Sequence, residues 1–110
     1  MGTKLSGALH LLRSDGYRTE LFATAMAFLA SSGALRSNCI ITDIQMPGLS
    51  GFELKRRLNA EENMTPVIMI TGHSEEQLDG EARDSGAICL LRKPFAPHVL
   101  LSWVGRTLGR

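Results

Sequence analysis

Three short apolar runs punctuate the chain: Cys39-Ile40-Ile41-Thr42, Val67-Ile68-Met69-Ile70 and Ala87-Ile88-Cys89-Leu90-Leu91. Each is too short for a helix and nearly free of polar residues, the pattern of strands buried on both faces. Around them, apolar positions recur at helical spacing. Leu5, Ala8, Leu9 and Leu12 predict a helix over 4–14, with Gly16 as its stop. Tyr17 to Phe22 is a short strand candidate. Thr24 is placed to cap a second helix carrying Phe28 and Leu29. Ser50-Gly51-Phe52-Glu53 has the form of a capping box, with Leu54 and Leu58 on one face of the helix behind it. Ser74-Glu75-Glu76-Gln77 is a second such candidate. Its helix is weaker: Leu78 and Ala82 are its clear apolar positions, and Gly80 costs roughly 1 kcal/mol relative to Ala. Gly86 is placed to end it. Pro97 opens a last helix with an apolar stripe of Leu100, Trp103, Val104 and Leu108, although Ala96 is a poor cap.

Alternating strands and helices predict an α/β fold, a doubly wound parallel sheet with helices on both faces. In such sheets functional groups gather where strands end at their carboxyl edge. Asp43 follows the first of the three runs, Thr71 the second, and Arg92-Lys93-Pro94-Phe95 the third. One acid, one hydroxyl and one amine are therefore expected at one edge of one sheet. Taken singly, each has an ordinary explanation as a cap, a packed β-branched residue or a turn; their joint placement points to a site.

The remaining composition narrows the picture. The 110 residues suit one domain, expected to span 1–110, with no output domain expected after the last helix. Twelve basic and eleven acidic residues give a net charge of +1. The densest basic cluster, Lys55-Arg56-Arg57, reads as a helix face, so nucleic-acid binding by the chain itself is not expected. Cys39 and Cys89 sit inside apolar runs and read as buried, reduced thiols, consistent with a cytoplasmic location. No apolar stretch approaches the roughly 20 residues of a membrane span. Met1-Gly2-Thr3-Lys4-Leu5-Ser6 matches a weak myristoylation pattern and reads more simply as a start followed by helix. His10 and His98 read as exposed helix positions and His73 as a loop residue at the rim of the site. No glycine-rich phosphate loop follows any strand, which ranks a nucleotide-binding enzyme last.

The segments Asp43-Ile44-Gln45-Met46-Pro47-Gly48, Thr71-Gly72 and Lys93-Pro94-Phe95, in this order and spacing, resemble the receiver domain of two-component response regulators. The resemblance runs from about residue 5 to residue 108. It implies a flavodoxin-like fold with strand order 2-1-3-4-5 and a signalling rather than an enzymatic role, with phosphoryl transfer to itself and self-dephosphorylation as the limit of its chemistry. Asp43 matches the phosphoacceptor, Lys93 the lysine that pairs with the phosphoryl group, and Thr71 the hydroxyl residue that relays the phosphorylated state. Pro94 matches a proline with a cis peptide bond, and the Gln45 backbone carbonyl a ligand to Mg²⁺ beside Asp43. Leu90 stands where an aromatic is usual and Arg92 where an acid or neutral residue is common; both belong to the signalling face. Met26 and Ala27 replace usual acids on the second helix. The implied partners are a histidine kinase or phosphotransferase and a downstream effector protein.

The same resemblance exposes a gap. The family begins with a strand ending in two acids, whereas here a helix is expected almost at Met1 and the first acid is Asp15. The acidic pair normally shares Mg²⁺ with the phosphoacceptor, so weak or absent Mg²⁺ binding is expected; Glu75 and Glu76 are distant substitutes. An N-terminally truncated sheet would also lose about five buried apolar residues at roughly 1.5–3 kcal/mol each. Exchange of elements or edge pairing with a second copy, or a rearranged N-terminal part, is the expected response. Two functions follow: a phosphoacceptor receiver, or a receiver-like interaction module impaired in Mg-dependent phosphorylation.

Overall fold

A computed structural model describes residues 12–20, 22, 24–31, 37–46 and 48–109. The elements, in chain order, are α1 (Ala25–Ala30), β1 (Ile40–Asp43), α2 (Gly51–Ala60), β2 (Val67–Thr71), α3 (Gln77–Ser85), β3 (Cys89–Arg92) and α4 (Pro97–Thr107). Residues 12–14 form a helical turn ahead of them. Most of the first expected helix and the myristoylation-like segment lie outside the described residues, as does His10.

The described strands form one parallel sheet in the order β1-β2-β3. Alternate residues of each strand face opposite sides. Val67 and Met69 join Ile40, Phe28, Phe52, Leu54, Leu58, Leu78 and Ala82 on one side, with α1, α2 and α3. Ile68 and Ile70 join Leu12, Leu91, Leu100 and Val104 on the other, with α4 and the turn at 12–14. The central strand is buried over its whole length, as its unbroken apolar run requires.

Local signals explain most boundaries. Thr24 Oγ1 accepts from Ala27 N at 3.0 Å and starts α1. The Ser50 box closes at both ends: Glu53 N donates to Ser50 Oγ at 3.1 Å and Ser50 N donates to Glu53 Oε1 at 2.9 Å. Gly86 ends α3 in the left-handed conformation, φ 91°. Pro97 opens α4, whose cap residue Ala96 makes no side-chain bond.

Three expectations change. Residues 17–20 and 22 are not strand. No described strand lies beside them to accept a ladder, and their contacts go elsewhere: Tyr17 N donates to Leu12 O at 3.0 Å, and Phe22 stacks edge-on against Phe28. The second capping box does not form. Helix α3 starts at Gln77 after an uncapped Glu76, because the Glu75 carboxylate turns to His73 and the Leu78 amide takes the Glu75 carbonyl. The two cysteines are half-buried rather than buried. They flank β2 on β3 and just before β1, two strand spacings apart, about 10 Å, which excludes a disulfide within the intact sheet.

One polar feature joins two helices on the far side of the sheet. Lys55 is 4% exposed, and its Nζ donates to Asn59 Oδ1 at 2.7 Å. Asn59 Nδ2 in turn donates to Ser85 O, the last residue of α3, at 3.1 Å. The buried ammonium thus lies at the carbonyl end of α3, where a cation is favoured.

Candidate functional site

The three strands end together. Register pairs Asp43 with Ile70 and Thr71 with Arg92, so the exits of β1, β2 and β3 are staggered along one edge. Ile44 N donates to Ile70 O at 2.8 Å and Lys93 N to Thr71 O at 2.8 Å, extending the ladder past each strand end. This backbone frame holds Asp43, Thr71 and Lys93 in one cluster.

Asp43 Oδ1 is shielded from solvent and makes no aligned hydrogen bond. The Lys93 ammonium stands 3.2 Å from it, a charge facing an acceptor rather than a well-directed donor. The Lys93–Pro94 peptide bond is cis. A carboxylate oxygen this shielded is costly unless a cation serves it, and here that cation is Lys93.

Thr71 is buried and its hydroxyl is fully engaged. It donates to Gln45 Oε1 at 3.0 Å and accepts from His73 N at 3.0 Å. The Gln45 side chain is therefore part of the site, a role the sequence did not suggest, since the two residues lie 26 positions apart. His73 sits at the rim, its ring 3.6 Å from the exposed Glu75 carboxylate.

Gly51 was also not legible. A Cβ at this position would lie 2.6 Å from the Asp43 carbonyl oxygen and 3.1 Å from Ile44 Cα. The Gly51 amide donates to Ile44 O at 2.9 Å. The first residue of α2 thus rests directly on the backbone that carries Asp43, and the site is built against a residue with no side chain. The turn between them folds back through Met46, whose sulfur receives the Thr42 hydroxyl at 3.5 Å.

Arg92 leaves the opposite side of β3. Nη1 donates to Asp79 Oδ1 at 2.9 Å and Nη2 to the Glu75 carbonyl at 2.8 Å. The hydrogen bond it donates to Asp79 is the main reason its pKa lies above the ordinary guanidinium value. Leu90 is half-buried and packs against the cluster beneath α2 and α3.

The sequence matches the model of the response regulator receiver domain over residues 4–104. The chain belongs to the receiver domain family. The receiver domain is 41% identical over 94 residues to the transcriptional regulatory protein FixJ of Bradyrhizobium diazoefficiens, covering 86% of this chain and 46% of that protein. It therefore spans about half the length of such relatives. The crystal structure of FixJ-N superposes with a TM-score of 0.83 at 32% identity, covering 94% of this chain and 83% of that one. The BeF3-activated DrrB receiver domain gives a TM-score of 0.85 at 28% identity, covering 100% and 92%. The fold is thus the receiver fold, and its role is in two-component signalling rather than as an ordinary enzyme. Receiver domains act with histidine kinases and effectors and use Mg²⁺ in phosphorylation. No described helix is long and apolar enough to cross a membrane.

The donors fit Mg²⁺ poorly. Among the described residues no three His, Cys, Asp or Glu side chains gather to hold a metal. Glu75 and Glu76 are exposed on the loop, with Glu75 against His73. Asp43 and the Gln45 carbonyl supply one carboxylate and one neutral oxygen, and the buried oxygen of Asp43 already faces Lys93. Mg²⁺ holds to so few protein ligands mainly through phosphate oxygens and water.

Proposed function

We propose that this receiver domain accepts a phosphoryl group on Asp43. The reading rests on one observation: a solvent-shielded Asp43 oxygen 3.2 Å from the Lys93 ammonium, at the edge where all three described strands end. An Asp43 carboxylate oxygen attacks the phosphorus of a phosphohistidine. A P–O bond forms as the P–N bond breaks, and the imidazole leaves with the electron pair and takes up a proton. Lys93 compensates the charge spread over the phosphoryl oxygens. The Thr71 hydroxyl exchanges Gln45 for one of those oxygens. The donor is a histidine kinase or phosphotransferase, and the recipient of the signal is an effector protein that reads the face containing Leu90 and Arg92. Chemistry beyond this is limited to self-dephosphorylation.

With a single carboxylate at the site among the described residues, Mg²⁺ affinity is expected to be low. Among the described residues β1 has a strand neighbour on one side only, and its other side is where a second copy of the chain would pair.

The test is intact-mass measurement after incubation with Mg²⁺ and a small acyl-phosphate donor. A gain of one phosphoryl group that disappears in Asp43→Ala supports the reading. No gain, or an equal gain in the variant, overturns it. Repeating the reaction across a Mg²⁺ titration measures the metal requirement.

A further inference from the structure

Helix α3 has few apolar anchors. Its buried residues are Leu78 and Ala82, it contains Gly80, and its N-terminal turn has no side-chain cap. Beside Leu78, that turn is held by Arg92. One guanidinium reaches the Asp79 carboxylate in the first turn of α3 and the Glu75 carbonyl in the loop before it. A planar fork with two well-placed acceptors fixes position as well as charge.

The same loop is anchored at its other end by the site. His73 N donates to Thr71 Oγ1, and that hydroxyl donates to Gln45. Residues 72–76 are therefore a short tether with one end on the Thr71 hydroxyl and the other on Arg92. If Thr71 redirects its hydroxyl to a phosphoryl group, the His73 end must adjust while the Arg92 end is still held. Arg92 and Lys93 are adjacent on the chain, one serving the tether and the other serving Asp43.

We propose that Arg92 is a latch: its bridge to Asp79 and the Glu75 carbonyl holds α3 and the loop after Thr71 in the unphosphorylated arrangement, and opposes phosphorylation of Asp43. This rests on the proposed role of Asp43 and adds a restraint to it. By linkage, a contact that favours the resting state lowers the tendency to take the phosphoryl group by the same factor. A half-exposed bridge of this kind corresponds to a factor of about two to five.

Two measurements separate the latch from the reading beneath it. The first is amide hydrogen exchange on the unphosphorylated chain, comparing wild type with Arg92→Ala and Asp79→Asn. Both variants are expected to exchange about two to five times faster over residues 72–80, with α2 unchanged. Arg92→Lys is expected to recover part of the protection, because it keeps the charge but loses the fork. This holds whether or not Asp43 is ever phosphorylated. Unchanged exchange in both Arg92→Ala and Asp79→Asn, or a uniform rise over the whole domain, overturns the latch. The second is the initial rate of mass gain from the acyl-phosphate donor. Faster uptake in Arg92→Ala by a similar factor supports opposition to phosphorylation. Local loosening with an equal or slower rate overturns that part. A wild type that takes no phosphate sinks the Asp43 reading and the opposition with it, and leaves the exchange result to decide the bridge.

Discussion

Substituting Gly51 by Ala tests whether the site depends on the close approach of α2. The new methyl would lie 2.6 Å from the Asp43 carbonyl oxygen, 3.1 Å from Ile44 Cα and 3.3 Å from the Asp43 carbonyl carbon. All three are backbone atoms, so no side chain can swing away. Reaching ordinary contact, roughly 3.5 Å, requires a displacement of about 0.9 Å between α2 and the end of β1. Overpacking of this kind costs about 1–3 kcal/mol, and the helix preference for Ala returns at most about 1 kcal/mol. A net loss of up to about 2 kcal/mol lowers the melting temperature by up to roughly 12 °C for a domain of this size. The displacement also moves Asp43 relative to Lys93, and misplacement near 1 Å can slow a reaction by about 10²-fold. Thermal unfolding and the rate of acyl-phosphate uptake measure the two effects. Gly80→Ala is the control: its methyl would meet only the tip of Arg83, at 3.7 Å, and should stabilise by up to roughly 1 kcal/mol. A Gly51→Ala protein that melts and reacts like wild type would refute the argument.

Removing the cation, Lys93→Met, should abolish most phosphate uptake while leaving a folded domain by circular dichroism; undiminished uptake would show that Asp43 does not depend on it. Ser50→Ala should cost about 1 kcal/mol in urea unfolding through loss of the α2 cap. Hydrogen bonds with Ser50 hold the Glu53 carboxyl below the ordinary glutamate value of 4.5. The ionised group therefore stabilises the fold fully above that value, and its advantage over Glu53→Gln should fade as pH falls through the lowered folded value. Desolvation raises both Cys39 and Cys89 from 9.0 to about 11. That leaves about 100-fold less thiolate at neutral pH, so alkylation should be slow until the domain unfolds, and mild oxidation should yield no internal disulfide.

Much of the frame was readable because it depends on neighbours in sequence. The Ser50 box, the Thr24 cap and the Gly86 stop each act within a few residues. The three apolar runs located the strands, although β3 lies slightly later than its run. The convergence of Asp43, Thr71 and Lys93 followed from strand parity and parallel order. The other parts depend on distant pairs. Nothing adjacent to Gln45 indicates that its side chain takes the Thr71 hydroxyl. Gly51 looks like an unremarked position inside a capping box until α2 is laid on the end of β1. The stretch from Tyr17 has strand-like residues, but a strand also needs a partner, and periodicity does not report one. Ser74 and Glu75 have capping chemistry, yet His73 and Arg92 compete for the same loop.

The bond from Asn59 to Ser85 has a mechanical consequence. It secures one end of α3 to α2, and Arg92 secures the other end to β3. Nine helical residues are about 13 Å long. With the Ser85 end fixed, α3 is a lever whose fulcrum lies beside Gly86. A swing of about 10° would sweep the Gln77 end through roughly 2 Å. A partner resting on that end would feel nearly the whole travel, and one resting near Ser85 almost none.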